Sequence, residues 1–481
     1  MRVLGITALG HDASVALIED NNILHASHSE RFSRIKNDKY LDDEQIEYMV
    51  SRFGLPDIIS FYENPVFKKL RQLRAGQYKQ VFDIHDFAPN YLYEFDDFHN
   101  IPIVYQDHHK SHAATGYYTS DFDECVVVVI DAIGEFTTLS IWRGEDNKLS
   151  KIRSLNYPHS LGLFYSAFTQ RLGLKPNEEE YIMMGMAAYG EPKYYKQIAQ
   201  DFIRYPKFLY NFHKGLPDTY LSDADDYDIA ASVQKITEDY IYKVLEEASQ
   251  YSKNLVYCGG VVLNCLANRN IHNYFDKVWI PNNPGDSGSA VGAATLITQQ
   301  KIKTKTPFLG YEIEGTYPVK EACDLLVKGN IIGVANSKAE FGPRAFGNRS
   351  LLADPRGPHI KDRVNEIKKR QKFRPFSPVI LEEHAKEYFE MYIDKSPYMQ
   401  YVFKCKYPDK FPAIIHKDKT SRVQTVGKDG SGIRELLEEF YKRTGCPMLL
   451  NTSLNIKGEP LVNDIDDAKK FEKKHNIPVL V

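Results

Sequence analysis

Cysteine is scarce in this 481-residue chain. Six are present, Cys125, Cys258, Cys265, Cys323, Cys405 and Cys446, scattered and without a C-x-x-C pair. That spacing offers no disulfide framework. Cys125 and Cys258, set in apolar runs, read as buried thiols in a reducing compartment. An excess of one charge is also missing. The 61 Lys and Arg are matched by 64 Asp and Glu, a formal net charge of −3. The whole surface is therefore not built to bind a polyanion, although local basic patches stay open. No apolar run approaches the length that crosses a bilayer. Met1 leads straight into VLGITAL with no charged leader ahead of a long apolar stretch. A soluble, cytoplasmic protein without a signal peptide is the expectation.

What remains is ordinary globular composition, 43% hydrophobic and 26% charged, enough for two or three domains. The opening RVLGITALGHDASVALIEDNNILHASHSE reads as a strand, a tight turn at Gly10-His11-Asp12, a returning strand, a turn at Asn21-Asn22 and a third strand. CVVVVIDAIGEFTTLSIWRGEDNKL repeats the theme, with Asp131-Ala132-Ile133-Gly134-Glu135 at its first corner. Its continuous valines predict a strand covered on both faces. Two such meanders suggest a duplicated, two-lobed nucleotide-binding fold of the actin-like ATPase kind. Helical periodicity fills Asp228 to Tyr251. NLVYCGGVVLNC then reads as strand, glycine pair and helix start, and KVWIPNNPGDSGSAVGAATL as strand, Pro/Gly loop and small-residue helix. Residues 306–318, polar and broken by prolines, are expected to link a first domain, 1–305, to a second, 319–481.

The segment QDHHKSHAATGYY places His108 and His112 four residues apart, so a helix projects both imidazoles from one face. Two imidazoles and one carboxylate suffice to hold a divalent metal with open positions, and that donor set suits non-haem iron better than a closed zinc site. Alone, the spacing is equally that of a helix with surface or capped histidines. Asp286, in PGDSGSAVGAA, is a carboxylate candidate, and also suits a helix cap. His11 and Asp12 read as turn residues or, in the functional reading, as catalytic groups with His11 the base. Asp131 ends an apolar strand, where a carboxylate has a partner, a metal or a capping role.

The stretch from Arg344 to Arg374 is dense in Lys and Arg. Lys361 to Arg370, interleaved with Asp362 and Glu366, reads as a solvated charged helix. Arg344, Arg349 and Arg374 sit among Gly342, Pro343, Gly347 and Pro375, in constrained loops suited to phosphate. A nucleic-acid reading is open there too, though the nearby aromatics lack regular interleaving.

Taken together, the motifs resemble the O-carbamoyltransferase family, which includes nodulation-factor, cephalosporin, aminoglycoside and ansamycin carbamoyl transferases. GHDAS, DHHKSHAA, SLGLFYSAFTQRLG, CGGVVLN, GDSGSAVGAA, EFGPRAFGNRSLLADPR, FRPFSP and LLNTSLNIKGEP carry the likeness, in that order over almost the whole chain. The resemblance implies an α/β fold with α+β elements: a duplicated actin-like ATPase-type N-terminal domain, like that of the tRNA threonylcarbamoyl transferase, and a smaller α/β C-terminal domain resembling threonylcarbamoyl-adenylate synthase. The reaction implied forms carbamoyl adenylate from carbamoyl phosphate and ATP, with Mg2+ accompanying the ATP. The carbamoyl group then passes to an acceptor hydroxyl beside a divalent iron. Mapped on this chain, His108, His112 and Asp286 match the metal ligands. His11 and Asp12 match the first loop, and Asp228 an acidic position. Asp131, Gly134, Gly259, Gly260 and Asn264 match a nucleotide cleft. Arg344, Arg349, Ser350, Arg374, Asn451, Ser453 and Asn455 match the pocket for carbamoyl phosphate and ATP.

Three residues depart from the family pattern. Ala132 stands where glycine is usual, Ile182 where lysine is common and Lys419 where glycine is common. The sequence leaves open the acceptor, whether a small metabolite, a sugar, a nucleoside or a hydroxymethylated base in DNA, and the oligomeric state. Two other readings remain: an actin-like kinase or ATPase with an appended basic domain, and a non-catalytic nucleic-acid-binding protein.

Overall fold

The first meander forms as its alternation and turns require. Strands β1 (Arg2–Thr7), β2 (Ser14–Glu19) and β3 (Asn22–His28) lie side by side. The β2–β3 turn is Asp20-Asn21, one residue earlier than expected, with φ of 48° and 65° at the two corner residues. Two successive left-handed residues are what a tight hairpin demands. Strands β4 (Ile58–Phe61) and β5 (Ile103–Tyr105) add in parallel on the other side of β1, in the order β3-β2-β1-β4-β5.

The second meander has β6 (Cys125–Ile130), β7 (Thr137–Glu145) and β8 (Lys148–Asn156), and every residue of β6 is buried. The strands Asn254–Cys258 and Lys277–Trp279 add in parallel beyond β6. Strand order and direction repeat those of the first sheet. This repetition is the duplicated actin-like architecture.

Six helices come early in the chain: α1 (Glu30–Ser33), α2 (Asp43–Phe53), α3 (Pro65–Arg74), α4 (Tyr78–Phe82), α5 (Ala88–Leu92) and α6 (His108–Thr119). Helix α6 is buried nearly all round and rich in small residues. It packs on β6, on Asn254–Cys258 and on the helix Ser289–Thr298, which in turn packs on β1, β2 and β4. The two helices thus meet between the two sheets, with Thr115 donating to the carbonyl of Gly288 at 2.9 Å.

The computed structural model describes residues 1–428, 430 and 432–481. They fall into two compact units, 1–26 with 39–305 and 27–38 with 306–481. The second unit is built on a mixed six-stranded sheet ordered Gln424–Val426, Ser377–Leu381, Met448–Ser453, Arg349–Ala353, Ile332–Ala335 and Val479–Leu480. Two expectations are corrected. Residues 306–318 are not a bare linker: Phe308–Ile313 is a strand paired antiparallel with Ser337–Glu340, burying Leu309 and Ile313 between the flanking prolines. Residues 27–38 do not belong with the first domain. Arg34 donates to the carbonyls of Leu461 (2.6 Å) and Pro460 (3.2 Å) and pairs with Asp467 at 2.9 Å. His28 Nε2 accepts the amide of Gly342 at 3.0 Å. These contacts join residues more than 300 apart, which no local pattern shows. Among the described residues, no helix is long and apolar enough to cross a membrane.

Candidate functional site

Helix α6 starts where two carboxylates converge on its first turn. Asp107 is the N-cap, accepting the amide of Lys110 at 2.8 Å. Glu135 accepts the amide of His108 at 3.1 Å and that of Asn64 at 2.7 Å. Acidic groups at a helix N-terminus satisfy its orphan amides and its dipole. The helix then turns His108 and His112 to one side, with their Nε2 atoms 3.1 Å apart. Asp286 Oδ1 lies 3.2 Å from His112 Nε2 and 3.6 Å from His108 Nε2. A fourth donor joins them: Asp131 Oδ2, at 3.4 Å from His108 Nε2 and 3.9 Å from His112 Nε2. Donor atoms of all four residues lie within 4.8 Å of one another.

The donor set fits a metal. Bonds of about 2.0–2.2 Å place neighbouring ligand atoms about 3.0–3.5 Å apart around one ion, close to the spacings seen here. Both Nδ1 atoms face outward. That of His108 lies 3.8 Å from Glu63 Oε2, a carboxylate placed to hold the Nδ1–H tautomer and leave Nε2 as a donor to metal. Burial disfavours a charged His108, but hydrogen bonds with Asp131 and Asp286 and with Glu63 lift its pKa well above the ordinary imidazole value. Burial likewise opposes a charged Asp286, yet His108 and His112 hold its carboxyl well below the usual range. Buried carboxylates around one point call for a cation. His109 turns away: its Nδ1 meets Ser140 Oγ at 2.8 Å, and burial together with the charge on His108 lowers its pKa to about 3.

The DAIGE corner is explained by this geometry. Asp131 faces the imidazoles and its other oxygen accepts the amide of Gly260 at 3.0 Å. A Cβ on Gly134 would stand 2.9 Å from the His108 ring. Glu135 caps α6. Gly259 has φ of 96°, and a Cβ there would lie 2.2 Å from the carbonyl oxygen of Ile130, so only glycine brings Gly260 up to Asp131. Asn264 forms a reciprocal amide pair with Gln234, at 3.0 and 2.9 Å. Ala132 lies outside the left-handed region, so the departure from glycine carries no backbone strain.

In the second unit, buried Lys368 holds a polar clasp. Its Nζ donates to the carbonyl of Ser453 (2.6 Å), to Ser453 Oγ (3.1 Å), and to the carbonyl and Oδ1 of Asn455, both at 2.9 Å. Burial first, then the charges of Arg370 and Arg374, push its pKa well below the lysine value. Two guanidinium groups and a buried amine thus lie near the end of the strand Met448–Ser453, a place that favours an anion. Asn451 donates to the carbonyl of Ala345 at 3.0 Å and to Gln424 at 2.8 Å, and Ser350 Oγ and Asn451 Oδ1 are buried without a hydrogen-bond partner among the described residues.

Comparison with known proteins identifies the family. Residues 2–95 and 73–295 match the carbamoyltransferase N-terminus, and residues 323–481 the carbamoyltransferase C-terminus. The chain belongs to the carbamoyltransferase family. An uncharacterized Synechocystis protein is 32% identical, covering 100% of this chain and 95% of its own length. Nodulation protein NolNO of Sinorhizobium fredii is 29% identical over 95% of this chain and 76% of its own. Nodulation protein NolO of Bradyrhizobium diazoefficiens is 32% identical over 75% of each. Among solved structures, the ADPNP-bound activator of the 2-hydroxyisocaproyl-CoA dehydratase from Clostridium difficile covers 62% of this chain and 94% of its own, at a TM-score of 0.36 and 11% identity.

The carbamoyltransferase brings His108, His112 and Asp286 together and adds Asp131, which the sequence placed at a strand end with a metal, a partner, a cap or a nucleotide cleft open to it. Other expected residues have protein partners. Asp228 accepts the amide of Glu191 at 2.7 Å and pairs with Lys193 at 2.6 Å. His11 is paired with Asp12. Burial opposes its charge, but Asp12, 3.1 Å away, and the field of Asp286 raise its pKa to about 9. Arg349 is not a phosphate ligand. Its guanidinium, fully buried, donates to the carbonyls of Tyr311, Asn336, Ser337, Asn348 and Asn463 at 2.8–3.2 Å. The amides of the nearby glycine loop are occupied as well. Glu340 Oε1 accepts those of Phe346, Gly347, Asn348 and Arg349 at 2.7–3.3 Å. Lys368 was hidden in a charge run. The signal that finds it is the buried stripe Ile360, Val364, Lys368, spaced by four.

Proposed function

We propose that this carbamoyltransferase activates carbamoyl phosphate with ATP in its second unit and transfers the carbamoyl group at the His–Asp cluster of its first. The activated species is carbamoyl adenylate. Water cleaves the P–O bond of carbamoyl phosphate to leave carbamate and phosphate. A carbamate oxygen then attacks the α-phosphorus of ATP and expels pyrophosphate. Arg370 and Arg374 would supply the positive charge that phosphate oxygens need, and Lys368, with Ser453 and Asn455, presents polar groups at the same place. Arg344, Ser350 and Asn451 complete the pocket in this reading.

The observation that carries the transfer half is the convergence of two imidazoles and two carboxylates from distant parts of one unit. His108, His112, Asp131 and Asp286 would hold a divalent iron, which supplies Lewis acidity to a carbamoyl carbonyl. The residues around it do the rest. Glu63 orients His108, Gly260 orients Asp131, and the His11 imidazolium faces developing negative charge as a hydrogen-bond donor. The acceptor is a hydroxyl on a sugar or another small molecule. The nodulation proteins among the relatives favour that class over a DNA base, and so does the inward use of Arg349.

The test separates the halves. With ATP and labelled carbamoyl phosphate, the protein should release pyrophosphate and phosphate in equal amounts. Lys368→Met should abolish that release and keep the bound metal. His108→Ala with His112→Ala should lose the metal, counted by mass spectrometry, and keep pyrophosphate release. No pyrophosphate from the metal-loaded wild type, with candidate acceptors present, defeats the proposal.

A further inference from the structure

Helix α3 is amphipathic in the inverted sense. Its buried face is polar. Lys68 Nζ lies 2.8 Å from Glu63 Oε1 and donates to the carbonyl of Leu9 at 2.7 Å, and Gln72, one turn on, donates to Asp86 at 3.0 Å. Its outward face is apolar. Val66, Phe67, Leu70 and Leu73 are exposed at 56%, 54%, 48% and 47%. The spacing of Val66, Leu70 and Leu73 by four and three puts them on one stripe, opposite Lys68 and Gln72. Helix α4 extends the stripe with Tyr78, 61% exposed, and Phe82, 79% exposed. Lys69, donating to the carbonyl of Asp83 at 3.0 Å, and Arg71, donating to Gln77 at 2.7 Å, hold α4 against α3.

A water-facing surface of this kind needs a cover. Six such side chains expose roughly 750 Å² at these fractions, above the 300–600 Å² or so of the largest patch on an ordinary monomer. We propose that the α3–α4 stripe is the contact between two copies of this chain. The exposed area matches the roughly 800 Å² that each partner gives to a stable interface. Phe67, Tyr78 and Phe82 are the residue types that anchor such interfaces. The exposed charges beside the stripe carry both signs, Arg74 and Lys79 against Asp83, so a two-fold copy can pair cation with anion. A bilayer is a poorer occupant. It favours a cationic border, whereas the exposed charges on and just after α3 and α4 carry both signs. Covering the apolar face also braces the helix whose other face holds Glu63, the carboxylate beside His108.

Sedimentation velocity of the full chain tests this. At roughly 1–50 µM, a range in which an interface of this size is populated, the wild type should run as a dimer of the 55.3 kDa chain. Phe67→Glu and Leu70→Glu should each run as a monomer with unchanged circular dichroism and melting. Should both fail to fold, Phe82→Ser, at the most exposed position, gives the same reading. Tyr251→Glu, at an exposed aromatic away from α3 and α4, should leave the dimer intact. A monomeric wild type across that range overturns the proposal, and so does a dimer that survives the α3 and α4 substitutions. Flotation of a monomeric wild type with phosphatidylserine vesicles, lost in Phe67→Glu, overturns it in favour of a membrane surface.

Discussion

Gly134→Ala should weaken metal binding without touching a ligand. A Cβ at this position would lie 2.9 Å from Cδ2 and Cγ of His108 and 3.0 Å from its Cβ. Ordinary contact begins near 3.4 Å, so the ring must retreat by about half an ångström. The Tyr62 ring packs against it with centroids 5.0 Å apart, and Glu63 stands by Nδ1. Without metal the ring relaxes to a displaced position. With metal it must return to reach the same point as His112, Asp131 and Asp286. The binding step therefore bears the overpacking cost, about 1–3 kcal/mol, equivalent to a loss of roughly 10- to 100-fold in affinity. The assay is competition against a chelator of known affinity, with bound metal counted by mass spectrometry. Ala132→Gly, at the same corner, is the control and should leave affinity unchanged. Wild-type affinity in Gly134→Ala, at unchanged stoichiometry, would refute the placement of His108 among the ligands.

Other perturbations discriminate structural from chemical roles. Arg349→Lys should destabilise the second unit by about 3–5 kcal/mol, because an ammonium cannot satisfy five buried carbonyls in a planar fork; denaturant melts check this, and a loss of carbamoyl phosphate affinity at full stability would contradict it. Lys419 has φ of 64°, where glycine is free of strain. Lys419→Gly should stabilise by about 0.5–1 kcal/mol, the relief of about 1–2 kcal/mol of left-handed strain less the added entropy of an unfolded glycine, and a lower melting temperature would refute it. In metal-free protein the His11 imidazole should titrate near pH 9 by NMR, raised from 6.5. Its contribution to stability is then complete below pH 6.5 and lost as pH rises through 9. His11→Ala should flatten that part of the pH–stability curve, and a titration near 6.5 would remove Asp12 and Asp286 as its cause.

Much of the fold was legible in the residues. The valine run of β6, the alternation of β1 to β3 and the glycine punctuation between them have local causes, period and turn chemistry, so they could be read without coordinates. Helix α6 was legible for the same reason, since the i, i+4 spacing of His108 and His112 fixes their common face. Where charge pattern was the only signal, the reading failed. Lys361 to Arg370 looked solvated, yet Lys368 is buried in a clasp of Ser453 and Asn455. Arg349 looked like a phosphate fork, yet it serves backbone carbonyls. A charged side chain has the same letter whether it faces water, a ligand or a carbonyl.

The sequence by itself determined the family and the duplicated meanders and pointed to His108, His112 and Asp286 as candidates, because motif order and local periodicity are written along the chain. Tertiary structure alone decided that Asp131 joins them, that residues 27–38 and 308–313 belong to the second unit, and that α3 turns its apolar side outward. Each of these depends on which distant segments pack together. Burial and pairing belong to that packing, and residue type does not record them.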